Sequence, residues 1–253
     1  VVYAYDAMVD DSVAAGVAIM GLLAFGVDWA MEPDNHDSID PADFAEYVSV
    51  TVDHYKDRVK MWEIWNEQNW DVFWKPEPNP AAYGALLKAA YVAAHEADPD
   101  CMVSFGGLSS TDFLYGEFWQ FLEDVYQAHP DIGDHFDAMA IHPYTMFQTY
   151  TPEEEGWNGN IAEQVRHART ILARHGDGDK PIWITESGWP ASPAEYEPPS
   201  RNNSWLQQAQ YMVRSYVIAI SEGAQILCWY TWDDGRPRDG ASPETYFGMV
   251  QWD

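Results

Sequence analysis

Apolar and polar positions in this chain alternate between two kinds of run. Short stretches dense in bulky and β-branched residues recur at 17–25, 59–66, 102–106, 138–144, 182–185 and 225–232, and each reads as a strand. Longer segments with helix-end chemistry lie between them. Tyr5 to Ala15 predicts a short helix. Asp40-Pro41-Ala42-Asp43 predicts a helix start, with Asp40 as N-cap, Pro41 at the first helical position and acid in the first turn; that helix runs to about Asp57. Asn79-Pro80 opens the next, ending near Asp98-Pro99, and Phe113 to Ala128 gives another. Asn160 and Glu163 fit a helix N-terminus with Gly176 as its stop, and Ser204 with Gln207 forms a capping box for a helix to Glu222, ended by Gly223. Six strands alternating with helices predict parallel α/β architecture. A closed barrel of this kind has eight strands. No internal sequence repeat and no low-complexity tract interrupts the pattern.

Two strands end in the same unusual way. Trp62-Glu63-Ile64-Trp65-Asn66-Glu67-Gln68-Asn69-Trp70 carries Glu67 at the C-terminal end of an apolar run. Lys180-Pro181-Ile182-Trp183-Ile184-Thr185-Glu186-Ser187-Gly188-Trp189 does the same with Glu186. Packing explains these poorly, because charged residues are rarely buried without partners and Trp needs both an apolar surface and a partner for its N–H. In a parallel barrel, catalytic groups sit at the C-terminal ends of strands, so residues far apart in sequence can converge there. Tyr144 and Trp229 fall at or near strand ends, with His142 just inside one. A carboxylate pair flanked by aromatic residues suggests work on a sugar.

Composition narrows the partners. The chain has 253 residues, a length ordinary for one barrel domain spanning 1–253. Hydrophobic content of 47% and aromatic content of 15% suffice for a substantial core. The net charge is −28, from 13 basic against 41 acidic residues, which would repel nucleic acid and anionic membranes alike. Scarce Lys and abundant Asp suggest a solvated surface adapted to high salt. The two cysteines, Cys101 and Cys228, lie in separate apolar segments and read as buried free thiols, with neither a disulfide framework nor metal-ligand spacing. No cofactor is implied. No run approaches a membrane span, and no charged start followed by an apolar stretch marks a signal peptide. Val1 does not resemble a natural start.

The motifs Trp62-Glu63-Ile64-Trp65-Asn66-Glu67 and Ile184-Thr185-Glu186-Ser187-Gly188-Trp189, with Ile141-His142-Pro143-Tyr144 and Trp229-Tyr230, resemble those of glycoside hydrolases of clan A, nearest the family 39-like group. The likeness extends over nearly the whole chain. It implies a TIM (β/α)8 barrel of which the third to eighth strands are present, with the first strand, first helix and second strand before Val1 and the last helix beyond Asp253. Clan A enzymes usually carry an active-site Arg on that second strand. The resemblance also implies a retaining mechanism on an oligo- or polysaccharide, with Glu67 as acid/base and Glu186 as nucleophile. The physics of two neighbouring carboxylates supports such a pair, because repulsion and burial separate their pKa values, but does not choose which takes which role.

Other roles follow from the same likeness. Asn66 is expected to hydrogen-bond the sugar 2-hydroxyl, Tyr144 to hydrogen-bond Glu186, and His142 to position charge near Glu67. Trp229 is the candidate stacking platform, with Trp232 the alternative. Trp29, Trp70, Trp74 and Trp189 follow strand ends and are candidates for outer subsites. By strand alternation Glu63 shares a side with Trp65 and Glu67, and it reads as a buried structural carboxylate. Asp233 and Asp234 read as structural loop carboxylates, and Glu153-Glu154-Glu155 as a solvated loop. Two other readings compete: a carbohydrate-binding barrel without catalysis, and a metal-dependent hydrolase with His142, Glu67 and Glu186 as ligands. The second lacks His-x-His or comparable spacing.

Overall fold

The computed structural model describes residues 4–27, 30–110, 118–145, 151–154, 159–191, 203–233 and 246–250. Its elements run α1 (Asp6–Ala14), β1 (Met20–Leu23), α2 (Pro41–Tyr55), β2 (Met61–Asn66), α3 (Pro80–Ala97), β3 (Met102–Ser109), α4 (Phe118–Ala128), β4 (Ala138–His142), α5 (Ile161–Arg174), β5 (Ile182–Ser187), α6 (Trp205–Ser221) and β6 (Ala224–Trp229). Short 3₁₀ turns at His36–Ser38 and Ile132–His135, which the sequence pattern does not announce, complete the list. The six strands follow one another in chain order in one sheet, β1-β2-β3-β4-β5-β6. This is the strand–helix alternation of a (β/α)8 barrel, of which the described residues form six strands.

The helix starts follow the expected chemistry. Asp40 accepts a hydrogen bond from Ala42 N at 2.8 Å, with Pro41 opening α2. Asn79 caps α3 ahead of Pro80. Asn160 with Glu163, and Ser204 with Gln207, form complete capping boxes at α5 and α6. Gly176 and Gly223 follow α5 and α6 with φ of +89° and +81°, the left-handed conformation that glycine adopts without strain.

Strand ends depart further from expectation. β1 is four residues, not nine: Val17 to Ile19 lie outside the ladder, and Phe25 has φ +67°. β3 is longer than expected, because Gly106-Gly107 continues the strand. A Cβ on Gly106 would collide with Ile64 O, so the glycine permits the close approach of β3 to β2. β5 runs on to Ser187, which makes Glu186 its penultimate residue.

The chain divides into two compact units, Val1–Gly106 with Gln120–Met139, and Gly107–Trp119 with Ala140–Asp253. In the first, β1 pairs parallel with β2 in the register Met20 to Met61 through Leu23 to Ile64. Its core holds the fully buried Trp65, Trp74, Tyr83 and Phe105. In the second, β5 pairs parallel with β6, with two register shifts between Ile182 and Ser187. Its core holds Trp183 and Trp189. Cys101 is buried, and burial pushes its thiol pKa up to about 12; Cys228 is only half-buried, contrary to the sequence expectation. No described helix is long and apolar enough to cross a membrane.

Candidate active site

In the first unit the end of β2 is shaped by backbone geometry. Trp65 has φ +73° and Glu67 φ +48°, left-handed values that non-glycine residues with bulky side chains rarely adopt. Side chains alternate only where the backbone is extended, so the alternation rule does not carry from Glu63 through Trp65 to Glu67. The surroundings of Trp65 account for how its conformation is held. Its ring packs against Phe25, His36, Phe44 and Trp74 with centroids 5.7, 5.2, 6.2 and 4.9 Å away, and its indole N–H donates to Phe73 O at 3.0 Å. Beyond it, Asn66 is half-buried and Glu67 buried. A tight turn follows, with Trp70 N donating to Glu67 O, and the buried Gln68 donates from Nε2 to Gly106 O at 2.9 Å. Glu63 is buried, as expected.

Two loops are tied together beneath this strand end. His36 N donates to Lys75 O at 2.8 Å and Lys75 N donates to His36 Nδ1 at 2.7 Å. Burial, and secondarily the Lys75 charge, lowers the His36 imidazole pKa from its ordinary value, which favours the neutral ring that accepts this bond. Asp37 accepts from the Trp74 indole and from Asn79.

In the second unit the arrangement is one of side-chain hydrogen bonds. The Tyr144 hydroxyl, two residues past the end of β4, donates to Glu186 Oε1 at 2.5 Å. His142 is buried, with Nε2 paired to Thr185 Oγ1 at 3.1 Å and Nδ1 3.8 Å from Glu186 Oε2. The Glu186 side chain keeps 25% of its surface open, unlike the buried His142 and Tyr144 beside it. A donor to an ionised carboxylate favours the ionised form. Gly188 follows closely: a Cβ there would strike Tyr230 O, so the turn after β5 needs a glycine to pack against the end of β6.

The aromatic candidates separate by burial. Trp74 and Trp189 are fully buried and belong to the core, which removes them as open subsite walls. Trp74 lies among His36, Trp65 and Tyr83, and Trp189 stacks on Trp229 and meets Tyr211 edge-on. Trp229 is itself mostly covered, yet its indole N–H has no hydrogen-bond partner among the described residues. Trp232 is 66% exposed and Trp70 half-buried. Trp29 and Asp234 lie outside the described residues, as does Glu155. Glu153 and Glu154 are exposed, as expected of a solvated loop, and the Arg214 guanidinium on α6 grips both Glu153 oxygens.

Sequence reasoning passed over three residues behind these strand ends. Tyr83, Gln164 and Gln208 each occupy the fourth position of a helix, are buried, and bond strand-end backbone. Tyr83 OH donates to Ile64 O at 3.2 Å and accepts from Gly106 N at 2.8 Å. Gln164 Nε2 donates to Tyr144 O and Gln208 Nε2 to Trp189 O. A signal existed: in Asn160-x-x-Glu163-Gln164 and Ser204-x-x-Gln207-Gln208 the residue after the capping box lies on the inward face, where a polar side chain needs a partner.

No protein-family model matches the chain. A Saccharomyces cerevisiae protein described as "Probable family 17 glucosidase" is 28% identical over 127 residues, which is 48% of this chain and 29% of the yeast protein. Among solved structures, a family 39 glycoside hydrolase from Bacteroides cellulosilyticus superposes with TM-score 0.75 at 22% identity, over 99% of this chain and 50% of that one. A monomeric β-xylosidase from Caulobacter crescentus superposes with TM-score 0.70 at 20% identity, over 99% and 53%. The chain therefore spans about half the length of those structures and shares their fold.

Proposed function

We propose that this chain carries the catalytic carboxylates of a retaining glycoside hydrolase acting on β-linked sugars. The observation that supports the reading best is the short hydrogen bond from the Tyr144 hydroxyl to Glu186 Oε1 at a strand end, in a fold shared with glycoside hydrolases. A carboxylate that must attack the anomeric carbon has to be ionised, and a phenol donating to it stabilises that form. This supports Glu186 as the nucleophile, a choice that the carboxylate pair alone leaves open.

In the first step the Glu186 carboxylate bonds to the anomeric carbon. The bond to the leaving oxygen breaks, and Glu67, as a carboxylic acid, gives that oxygen its proton. In the second, Glu67 as carboxylate removes a proton from water, which attacks the same carbon and releases Glu186. Asn66, next to Glu67, takes the 2-hydroxyl, and Trp229 or Trp232 offers the apolar face for the ring. Loss of Glu186 therefore removes the covalent step, whereas loss of Glu67 leaves the first step open to substrates with good leaving groups.

The test uses aryl β-glycosides of several sugars with the full chain, Glu67→Ala and Glu186→Ala, with and without azide. Glu67→Ala is expected to release activated aryl groups and, with azide, to form a β-glycosyl azide; Glu186→Ala is expected to form the α-glycosyl azide. The same anomer from both would refute the division of roles. Sugar binding without turnover would favour a carbohydrate-binding barrel, and loss of turnover on chelation, restored by a divalent metal, would favour metal-dependent hydrolysis.

A further inference from the structure

We propose that Gln164 is a positioning residue for the Glu186 carboxylate, acting through Tyr144. The inference rests on the proposed role of Glu186.

Side chains tilt toward the helix N-terminus, so a residue in the first turn reaches back over the loop that leads into the helix. Gln164 is the fourth residue of α5 and is 1% exposed. Its Nε2 donates to Tyr144 O at 3.3 Å and to Gly159 O at 3.1 Å. Two carbonyl oxygens as neighbours fix the amide orientation, because a flipped amide would set its own oxygen against both. The arrangement has a cost: Gln164 Oε1 is buried with no hydrogen-bond partner among the described residues. A buried acceptor left unpaired opposes folding; an apolar side chain of similar volume would avoid that penalty at the loss of the bond to Gly159 O, while Tyr144 O would keep its bond from Ser110 Oγ. Stability alone is therefore a poor reason for glutamine at this position. Holding the Tyr144 carbonyl is a better one.

That carbonyl is held twice, since Ser110 Oγ also donates to it at 3.0 Å. The residue so fixed is the one whose hydroxyl meets Glu186 Oε1 at 2.5 Å. Hydrogen bonds to a carboxylate weaken steeply with distance and angle, so a small shift of the Tyr144 backbone would be felt at the phenol. The device recurs in the next strand–helix step. Gln208, the fourth residue of α6, donates to Trp189 O at 2.8 Å. Tyr144 lies two residues beyond the end of β4, and Trp189 two beyond the end of β5. Both glutamines directly follow a capping box, so the two steps share one way of fixing the helix start to the strand end.

The test is a double-mutant cycle with Gln164→Leu, Tyr144→Phe and the pair, read on the full chain with an aryl β-glycoside. Gln164→Leu is expected to lower kcat about 10-fold with KM changed by no more than about 2-fold, since misplacing a catalytic group by a fraction of an ångström costs rate rather than binding. The pair is expected to match Tyr144→Phe within about 2-fold, because a residue acting only through Tyr144 adds nothing once the hydroxyl is gone. Independent, multiplying losses, or an unchanged kcat in Gln164→Leu, would overturn the proposal. A second arm needs no substrate. In crystal structures of the native chain and Gln164→Leu, the Tyr144–Glu186 oxygen separation should lengthen beyond about 3 Å in the variant, outside the usual O–H···O range; an unchanged separation overturns the proposal. If the native chain cleaves no glycoside, the proposed function fails while this second arm still decides the positioning. Gln164→Met carries both arms if the leucine variant does not fold.

Discussion

The two strand ends that carry Glu67 and Glu186 reach a placed carboxylate by different means. At the end of β2 the backbone itself is bent out of the extended conformation, with left-handed Trp65 and Glu67, and an aromatic cluster holds the bend. At the end of β5 none of the residues Ile182–Ser187 has a positive φ, and the carboxylate is held by a tyrosine hydroxyl with a buried histidine nearby. Left-handed non-glycine residues cost of order 1–3 kcal/mol each, so the first arrangement draws on the stability of its surroundings. The second acts on the charge of the carboxylate with little demand on the backbone. The contrast teaches that perturbing the wall of β2 should register mainly in folding, and perturbing the contacts of β5 mainly in chemistry.

The largest effects should fall on opposite sides of that contrast. Trp65→Ala removes a fully buried indole from the cluster that holds the bend. It should destabilise the chain by about 3–5 kcal/mol in denaturant unfolding, as large-to-small changes of buried aromatics do. Tyr144→Phe removes one hydroxyl and little volume. On the proposed role of Glu186 it should lower kcat/KM by roughly 10²–10³-fold, the usual cost of losing one donor to a reacting charge, while stability moves by about 1 kcal/mol. If Tyr144→Phe instead unfolds the chain while Trp65→Ala leaves it stable, the contrast fails.

Tyr83→Phe probes the β2 side more gently. The hydroxyl donates to Ile64 O, the residue before the bend, and accepts from Gly106 N. Burial, with a smaller contribution from the Glu63 charge, raises the Tyr83 pKa well above the ordinary phenol, so the group remains a donor throughout the physiological range. Its removal leaves a buried N–H and a buried carbonyl without that partner, for a loss of about 1–3 kcal/mol in stability. Amide exchange of Gly106 should quicken in the same variant, and a protection factor equal to that of the native chain would argue that water replaces the hydroxyl.

Much of this was legible in the residues. The capping boxes at Asn160 and Ser204, the Asp40-Pro41 start and the count of six strands follow from local chemistry, which acts within a few residues and survives in any tertiary context. Strand ends were less legible, because they depend on neighbours far away in sequence. Gly106-Gly107 looks like a stop, yet the missing Cβ is what lets β3 continue past Ile64. The left-handed Trp65 gave no sign, since nothing in the type Trp favours that conformation. Trp74 and Trp189 looked like subsite walls because a Trp after a strand end reads the same whether it faces solvent or core. Only packing decides, and it placed both in the interior. The tyrosine–carboxylate contact was expected from the motif, but the glutamine behind it was not, because a buried helical polar residue declares its partner only once the loop is folded over it.

The smallest effect concerns acid. His36 joins the loop after β1 to the loop after β2 by accepting from Lys75 N, and its ring edge supports Trp65. Protonation would turn Nδ1 into a donor facing another donor. Burial and the Lys75 charge lower the imidazole pKa from its ordinary 6.5, while Asp34 and Asp37 oppose the shift. A histidine whose pKa is lower in the folded chain binds protons more readily when unfolded, so folding loses stability as the pH drops. The contribution is whole above about 6.5, the unfolded value, and is lost as the pH falls through the lower folded value. His36→Gln keeps an acceptor for Lys75 N that does not titrate. Melting temperatures of both chains between neutral and mildly acidic pH should therefore diverge, the native chain falling more steeply below 6.5. Because the other titrating groups are common to both, parallel curves would mean that His36 leaves the β2 wall when it is protonated at little cost, and that the aromatic cluster alone holds the bend at Trp65.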